Sequence, residues 1–381
     1  MIREEIAQYF SEKPLWQNTP LKAHEYSVEH FVQHLMQQAV QKKASDIHFE
    51  RYETCYRIRF RLDGLLHEIA SPPLEMADRI TAYLKNKANL DTAERRVPQD
   101  GRFKLVDIKN LDCRISTCPT VNGEKVVIRL LHASELQRDI SELGFNNRQK
   151  SLFLKALNQP QGLILVTGPT GSGKTVTLYA ALHHLNQAEK NISTVEDPVE
   201  IKLTGINQVA VNPKGGLTFA KTIRAFLRQD PDIIMVGEIR DLETAQIAIH
   251  ASQTGHLVLS TLHANNAVET LTRLADLGVP WFQMASSIQL IIAQRLVRKI
   301  CCAKRTGCDC HQGYKGRVGL FEILPVTTDL IHAMSLNLSN KTNRNKLIEQ
   351  AGMISFEESS REAILQGLTD RAEVERVLGK E

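Results

Sequence analysis

The sequence predicts an α/β fold, in which a mainly parallel sheet with helices on its faces is preceded by a smaller α+β domain and followed by helices. Short apolar runs alternate with helical patterns in the middle of the chain. Strands that alternate apolar and polar residues come before them, and a helical pattern follows Pro325. Alternation of buried strands with helices is typical of a parallel sheet that is covered on both faces.

Composition sets the broad class of protein. A chain of 381 residues is long enough for about two or three domains. The net charge of +4 is too small to indicate a dedicated nucleic-acid binder. No apolar run approaches the roughly 18 residues of a membrane span, and the acidic start does not resemble a signal peptide. We therefore expect a cytosolic protein whose seven cysteines are thiols or metal ligands.

The smaller α+β domain is predicted for residues 27–131, after a polar leader at residues 1–26. Its first helix should begin after Ser27, which is a good N-cap. Its clearest strand is Tyr56–Leu62, where apolar residues alternate with three arginines. Asp63-Gly64 then supplies a strong two-residue hairpin turn. The arginines form either a solvated sheet face or a basic face turned toward phosphate on a neighbouring subunit.

The α/β domain is predicted for residues 149–325, after a mixed polar linker at residues 132–148. Its apolar strand candidates are Leu163–Val166, Ile192–Val195, Ile206–Val211, Ile233–Val236 and Leu257–Leu262. Helical patterns lie between several of them, for example at Phe219–Arg228 and Leu242–Ser252. A C-terminal helical subdomain is predicted for residues 326–381, and a cysteine-rich loop for residues 300–312.

A glycine-rich loop between an apolar strand and a helix is the strongest functional signal. Its glycines let backbone N–H groups approach a polyphosphate, and the helix N-terminus adds its dipole. Lys174 brings a positive charge to the β/γ oxygens, and the Thr175 hydroxyl can bind Mg²⁺. The predicted nucleotide-binding residues are Gly168, Pro169, Thr170, Gly171, Ser172, Gly173, Lys174, Thr175 and Val176.

Carboxylates follow two of the predicted strands. Glu196, Asp197 and Glu200 come after Ile192–Val195 and suit Mg²⁺ coordination or water activation, unless they form an ordinary acidic loop. Glu238 follows the strand Ile233–Val236 in the manner of a Walker B acid. Because Val takes the place where an Asp usually stands, Glu238 would act through water or the metal shell.

Histidines and arginines complete the candidate set. His256 and His263 bracket the strand Leu257–Leu262 and are either ordinary satisfied groups or sensors of a bound phosphate. Three arginines of the α+β domain either form ordinary salt bridges or complete the site of another subunit, as arginine fingers do. They are Arg102, Arg114 and Arg129.

Four stretches together resemble the secretion ATPase superfamily of type II secretion and type IV pilus assembly. They are Gly168–Thr175, the acidic box Thr194–Glu200, Asp230–Asp241 and Thr254–Ala264. Further similarities lie at Ala44–His48, Arg96–Arg102, Gly123–Arg129, Gln294–Arg298 and Gly316–Glu322. The Arg96–Arg102 box favours the assembly and secretion branch over the pilus-retraction branch.

The resemblance implies a RecA-like P-loop ATPase domain after a PAS-like α+β domain, with ATP and Mg²⁺ as cofactors. Glu200 would polarise the attacking water with help from Glu238, and Mg²⁺ would lie near Thr175 and Glu238. The resemblance also assigns γ-phosphate sensing to His256 and His263, and nucleotide contact to Arg102, Arg114 and Arg129.

The resemblance further implies a homo-hexameric motor whose hydrolysis displaces an inner-membrane platform protein during pilin or pseudopilin assembly. Such a hydrolase would lie in the cytoplasm, peripheral at the inner face of the bacterial inner membrane, without a nucleic-acid partner. Pilus retraction or DNA transfer is the alternative within the superfamily. A nucleotide-binding scaffold with little turnover is the alternative from another class, and intact Lys174, Glu200 and Glu238 argue against it.

Two features depart from the family pattern. Only residues 1–26 precede the α+β domain, so the usual first N-terminal docking domain is expected to be missing. The family's two C-x-x-C pairs, which bind structural zinc, are replaced by a short cluster of Cys301, Cys302, Cys308 and Cys310, followed by His311. These residues form either a compressed zinc site or a loop of free thiols, and tetrahedral geometry favours the thiols because adjacent cysteines point in different directions.

Overall fold

The computed structural model describes residues 27–105, 111–131, 136–301, 310, 312–336 and 341–379, with the backbone alone at 341–345. The chain divides into two compact units, residues 1–132 and 133–381. The predicted leader lies outside the described residues.

The first unit is an antiparallel sheet with two helices packed on one of its faces. Its elements are α1 (Val28–Gln41), β1 (Asp46–Arg51), β2 (Tyr56–Leu62), β3 (Leu65–Ala70), α2 (Met76–Lys87), β4 (Gln99–Leu105), β5 (Leu111–Thr120) and β6 (Gly123–Leu131). The strand order is β3-β2-β1-β6-β5-β4. Apolar side chains of the sheet, among them Ile47 and Phe49, form one core cluster with those of α1 and α2.

Local sequence signals in the first unit are confirmed. The Ser27 side chain accepts the N–H of His30 and caps α1. Along β2 the apolar residues are buried and the arginines are half-buried, as the alternation predicts. Asp63 and Gly64 both have positive φ, 48° and 90°, which is the conformation of a tight two-residue hairpin turn.

The second unit is built on a seven-stranded sheet of order β13-β12-β7-β11-β10-β8-β9. Its strands are β7 (Gly162–Thr167), β8 (Ile192–Glu196), β9 (Asn207–Ala210), β10 (Ile233–Val236), β11 (Leu257–Leu262), β12 (Ile288–Ile300) and β13 (Tyr314–Pro325). Its helices are α3 (Asn147–Leu157), α4 (Lys174–Leu185), α5 (Phe219–Phe226), α6 (Leu242–Gln253), α7 (Ala267–Asp276), α8 (Trp281–Ser287), α9 (Thr328–Ser335), α10 (Lys341–Gln350), α11 (Phe356–Leu365) and α12 (Arg371–Leu378).

The mainly parallel sheet is confirmed, with one addition. Strands β12, β7, β11, β10, β8 and β9 pair in parallel, and β13 alone runs antiparallel beside β12. The sequence predicted the five shorter strands but not the β12–β13 pair. A short continuous apolar run such as Leu290–Ala293 has no period-two alternation, so it does not distinguish a buried strand from a buried helix.

Segments at both ends of the second unit join its core. Ile140 and Leu143, which lie in the stretch predicted as a linker, are buried in the same cluster as strand β7. After β13, Leu330 of α9 is buried in the main core cluster. Ile354 exchanges two backbone hydrogen bonds of 2.9 Å with Ile323, which fastens the chain before α11 to β13.

Candidate nucleotide-binding site

The predicted site residues of the second unit converge because its strands are parallel and in register. Thr167 at the end of β7 pairs with Leu262 at the end of β11, and Val236 at the end of β10 pairs with Val195 of β8. The segments that follow these ends therefore leave the sheet at one edge, which is where open α/β sheets bind ligands. The glycine-rich loop, the acidic box, Glu238 and His263 all start there.

The glycine-rich loop connects β7 to α4, and its shape depends on glycine. Gly168 has φ +146°, and a Cβ there would lie 2.6 Å from the carbonyl oxygen of Gln294. Gly173, with φ +90°, is the residue before α4. In the part of the chain that the structure describes, the buried Ser172 hydroxyl has no hydrogen-bond partner. A helix N-terminus beside such a hydroxyl fits the phosphates of a nucleotide.

Lys174 opens α4 and folds back over the loop. Its ammonium donates to the carbonyl oxygens of Gly168 at 2.9 Å and Pro169 at 3.0 Å. Burial lowers the pKa of Lys174, the charge of Glu238 opposes that shift, and Arg295 adds to it. The lysine charge thus lies within electrostatic reach of the Walker B acid.

Glu238 lies between a guanidinium and an imidazole at the same edge. Arg240 forms an ion pair with it, and His263 Nε2 is 3.9 Å from its Oε2. Arg240 also lies 3.8 Å from Asp197 of the acidic box, so the two acidic segments share one cation. Burial, followed by the charge of Lys174, lowers the pKa of His263 below its usual value. The imidazole is therefore mostly neutral at pH 7, although Glu238 opposes the shift.

The three carboxylates of the acidic box occupy different environments. Asp197 is exposed toward Arg240, and Glu200 is half-buried in the following loop. Glu196 is buried and accepts hydrogen bonds from Thr194 at 2.6 Å and from Tyr179 of α4. Their positions in the sequence did not predict these different environments, because all three follow the same predicted strand.

His256 is not brought to the glycine-rich loop. It precedes β11, and its carbonyl oxygen accepts the N–H of Gly162 at the start of β7, whereas His263 follows β11. A strand of this length separates the two imidazoles by about 20 Å. His256 Nδ1 instead lies 2.9 Å from the carbonyl oxygen of Ala251. Within one chain, the structure therefore places His263, and not His256, beside the glycine-rich loop.

The three predicted arginines lie side by side on the polar sheet face of the first unit. Arg102 pairs with Arg114, Arg114 with Arg129, and Arg129 with Asp46 of β1. Asp46 in turn pairs with Arg61, so one row across five strands carries four arginines and one aspartate. Arg129 Nε is 3.0 Å from Asp46 Oδ1. Like charges in direct register are unfavourable, so this row suits an anion.

Strand β12 supplies two residues that sequence reasoning did not assign. Gln294 lies under the loop and accepts the Thr177 hydroxyl at 2.7 Å. Arg295 donates to the carbonyl oxygen of Asn265, two residues after His263, at 2.8 Å. The run Gln294–Arg298 was the only sequence signal for them, but β12 was not predicted as a strand beside β7.

The cysteine-rich segment is described only in part. Cys301 is buried and Cys310 is half-buried, whereas Cys302, Cys308 and His311 lie outside the described residues. Within the described ranges, no group of three or more His, Cys, Asp and Glu side chains is arranged to hold a metal ion. Among the described helices, none is long and apolar enough to cross a membrane.

The fold and the glycine-rich loop define a RecA-like P-loop protein. Residues 22–376 match the family described as Type II/IV secretion system protein. The chain belongs to this family.

Known proteins of this family include assembly and secretion ATPases. The chain is 49% identical to the type IV pilus assembly ATPase PilB of Pseudomonas aeruginosa, over 96% of this chain and 70% of that protein. It is 44% identical to the type II secretion system ATPase E of Vibrio cholerae, over 90% of this chain and 74% of that protein. The solved structure of the pilus retraction motor PilT with bound ADP covers 91% of this chain and 96% of its own, with a TM-score of 0.65 and 28% identity.

Proposed function

We propose that this chain is a motor ATPase that hydrolyses Mg-ATP to drive pilin or pseudopilin assembly in a type IV pilus, competence or type II secretion machine. The observation that carries the proposal is the convergence of the Lys174 loop, Glu238 and His263 at one edge of a parallel sheet. The names of the assembly and secretion relatives favour a role in assembly over one in retraction.

The residues at this edge fit a bound nucleotide and its metal ion. The loop from Gly168 to Val176 would hold the phosphates, with Lys174 turning its ammonium from the loop carbonyls to the β/γ oxygens. Thr175 and Glu238 would hold Mg²⁺, which neutralises phosphate charge when it is bound. Glu200 would orient the attacking water, and the neutral imidazole of His263 would report on the γ-phosphate.

The arginine row supports the view that the site is completed by another subunit of a homo-hexamer. Arg102, Arg114 and Arg129 together carry more positive charge than Asp46 neutralises, and Arg129 keeps 57% of its side chain exposed. A polyphosphate on a neighbouring subunit would relieve their mutual repulsion. We place the assembled motor at the cytoplasmic face of the inner membrane, where it would displace a platform protein and not a nucleic acid.

Pilus retraction or DNA transfer is the second candidate, and the likeness to PilT favours it. Higher identity to PilB argues for assembly. Deletion of the gene in its host, scored for surface pili, DNA uptake and protein secretion, separates these machines. Hyperpiliation, the expected result for a lost retraction motor, would contradict the assembly role.

Lys174→Ala tests the ATPase. We expect a loss of Mg-ATP hydrolysis of at least about 100-fold, because the charge that meets the transferred phosphoryl group is removed. Lys221→Ala, on the exposed face of α5, is the matched control and should hydrolyse ATP at the normal rate. Full activity in the Lys174 variant would refute the phosphate-loop assignment.

For the cysteine-rich segment we propose that its thiols hold no zinc ion. Metal analysis of the protein purified under reducing conditions should then find no zinc. One zinc per chain would instead assign Cys301, Cys302, Cys308 and Cys310 as ligands.

A further inference from the structure

A tyrosine of the phosphate-loop helix bonds to two parts of the acidic box. Tyr179 lies on α4, five residues after Lys174, and is 1% exposed. Its hydroxyl donates to the carboxylate of Glu196. The same hydroxyl accepts the backbone N–H of Glu200 at 3.4 Å. One side chain of the helix that carries the phosphate-binding residues therefore contacts both the first and the last glutamate of the acidic box.

The Glu196 carboxylate is engaged by contacts within the protein. It is 4% exposed and is surrounded by donors: the Tyr179 hydroxyl, the Thr194 hydroxyl at 2.6 Å, and the Gln208 amide at 3.1 Å. These three donors satisfy the buried carboxylate. Burial also raises the pKa of Tyr179, so its hydroxyl stays protonated and keeps donating.

The loop that carries Glu200 is fastened at further points. Gln208 of β9 donates to the carbonyl oxygen of Ile201 at 3.0 Å and accepts the N–H of Leu203 at 2.7 Å. Asn186, at the end of α4, donates to the carbonyl oxygen of Thr204 at 2.8 Å. Helix α4 thus holds the loop both near its middle and near its end. A displacement of α4 would carry the backbone of Glu200 with it.

We propose that Tyr179 and Glu196 form a positioning pair that fixes Glu200 relative to Lys174 and Thr175. Glu196 acts through Tyr179 and ligates neither the metal nor the nucleotide, although it belongs to the acidic box. The pair connects Glu200, which orients water, to helix α4, which binds phosphate. The position of Glu200 relative to α4 therefore depends on the Tyr179 hydroxyl. This role rests on the proposed ATP hydrolysis.

Tyr179→Phe tests the pair, because it removes the hydroxyl and keeps the buried ring. In the full chain we expect kcat for ATP hydrolysis to fall about 10-fold to 100-fold, as small misplacements of catalytic groups do. The dissociation constant of a fluorescent ADP analogue should change less than about twofold, because the loop itself is untouched. Tyr56→Phe, which alters an equally buried tyrosine of the first unit, is the matched control. Unchanged kcat, or equal losses in kcat and ADP affinity, would overturn the proposal.

Hydrogen exchange gives a readout that does not depend on hydrolysis. Loss of the acceptor should speed exchange of the Glu200 amide in Tyr179→Phe at least about 10-fold, while the amides of α4 keep wild-type rates. If exchange speeds up in this way but the wild-type protein hydrolyses no ATP, the contact between Tyr179 and Glu200 is supported and the proposed ATPase activity is rejected. Unchanged exchange at Glu200 would reject the pair.

Glu196→Gln separates positioning from metal binding. The amide can still accept from Tyr179, but its NH₂ group opposes the donors of Thr194 or Gln208. We expect a lower kcat with the Mg²⁺ concentration for half-maximal activity changed less than about twofold, since a positioning residue does not touch the ion. An increase of about 10-fold in that Mg²⁺ concentration would identify Glu196 as a metal ligand and overturn the proposal.

Discussion

The two sheets of this molecule place their charged residues in opposite ways. The first unit displays cations across a whole sheet face, because its helices cover only one face and the other alternates into solvent. In the second unit, β7, β10 and β11 are buried at every position and carry no charged residue, so the charges near these three strands lie in the segments that follow them. Functional residues are therefore found by alternation in the first unit and by position after a strand in the second.

The second unit should tolerate substitutions at its ligand-binding edge far less well than the first unit tolerates them on its polar face. Gly168→Ala would place a Cβ 2.6 Å from the carbonyl oxygen of Gln294 at a φ of +146°. We expect nucleotide binding to fall below detection and hydrolysis to drop at least about 100-fold, because strand β12 leaves no room for the loop to shift. Calorimetric titration with ADP is the measurement.

Gly316→Ala is the control for backbone strain alone. Gly316 also has positive φ, +79°, but a Cβ added there would have no other atom within 4 Å. We expect a loss of stability of about 1 kcal/mol with normal ADP affinity. Equal ADP affinity in the two variants would show that packing against β12 does not shape the loop.

The first unit should act only between subunits. Arg114→Ala is expected to reduce hydrolysis about 100-fold or more, as removal of an arginine finger does. Mixing Arg114→Ala chains with Lys174→Ala chains should restore part of the activity, because an intact arginine and an intact loop then meet at some interfaces. Arg59→Ala is the control on the same face, since Arg59 is engaged by Glu50 at 2.8 Å. An inactive mixture would argue against a role in trans.

The sequence predicted more of the second unit's site than of its supporting structure. Lys174, Glu238 and His263 follow short apolar strands, and parallel strands end at a common edge, so their convergence could be inferred. His256 lies away from the loop because the two residues that flank a strand lie at opposite edges of the sheet, and its predicted role stays a prediction. The roles of Tyr179 and Gln294 were not predicted, since each depends on packing between elements distant in the chain.

In the first unit, the alternation of apolar and charged residues predicted the charged face, but it did not predict the register in which the strands pair. Nothing in the spacing of Arg102, Arg114 and Arg129 places them opposite one another. Their alignment depends on the pairing of β4, β5 and β6, which the hairpin lengths determine. Carboxylates of β1 that face this surface were likewise recognised only from the cross-strand pairs.

The two histidines that flank β11 test whether the functional residues of the second unit lie at only one edge of its sheet. His263→Gln should reduce kcat about 10-fold, because a neutral ring beside Glu238 and the loop is lost. His256→Gln, at the far end of the same strand, should leave kcat within about twofold. Steady-state ATPase assays on both variants are the measurement. A larger loss in the His256 variant would place that residue at a functional contact outside its own chain.

The smallest expected effect concerns the stability of the first unit. Burial alone would raise the pKa of Glu50, but hydrogen bonds from Arg59 and Lys125 outweigh it and lower the pKa to about 2. A carboxylate with a lowered pKa adds stability above its unfolded value of 4.5, and that stability is lost as the pH falls toward 2.

Glu50→Gln should therefore destabilise the first unit by about 1–3 kcal/mol at pH 7, because three cations lose their shared partner. It should also flatten the fall in stability between pH 4.5 and pH 2. Urea unfolding, followed by hydrogen exchange of the β1 amides, measures both effects. Glu68→Gln, an exposed acid opposite Arg59, is the control and should change stability by less than about 0.5 kcal/mol. Equal effects in the two variants would mean that the polar face is held by overall charge and not by Glu50 at its centre.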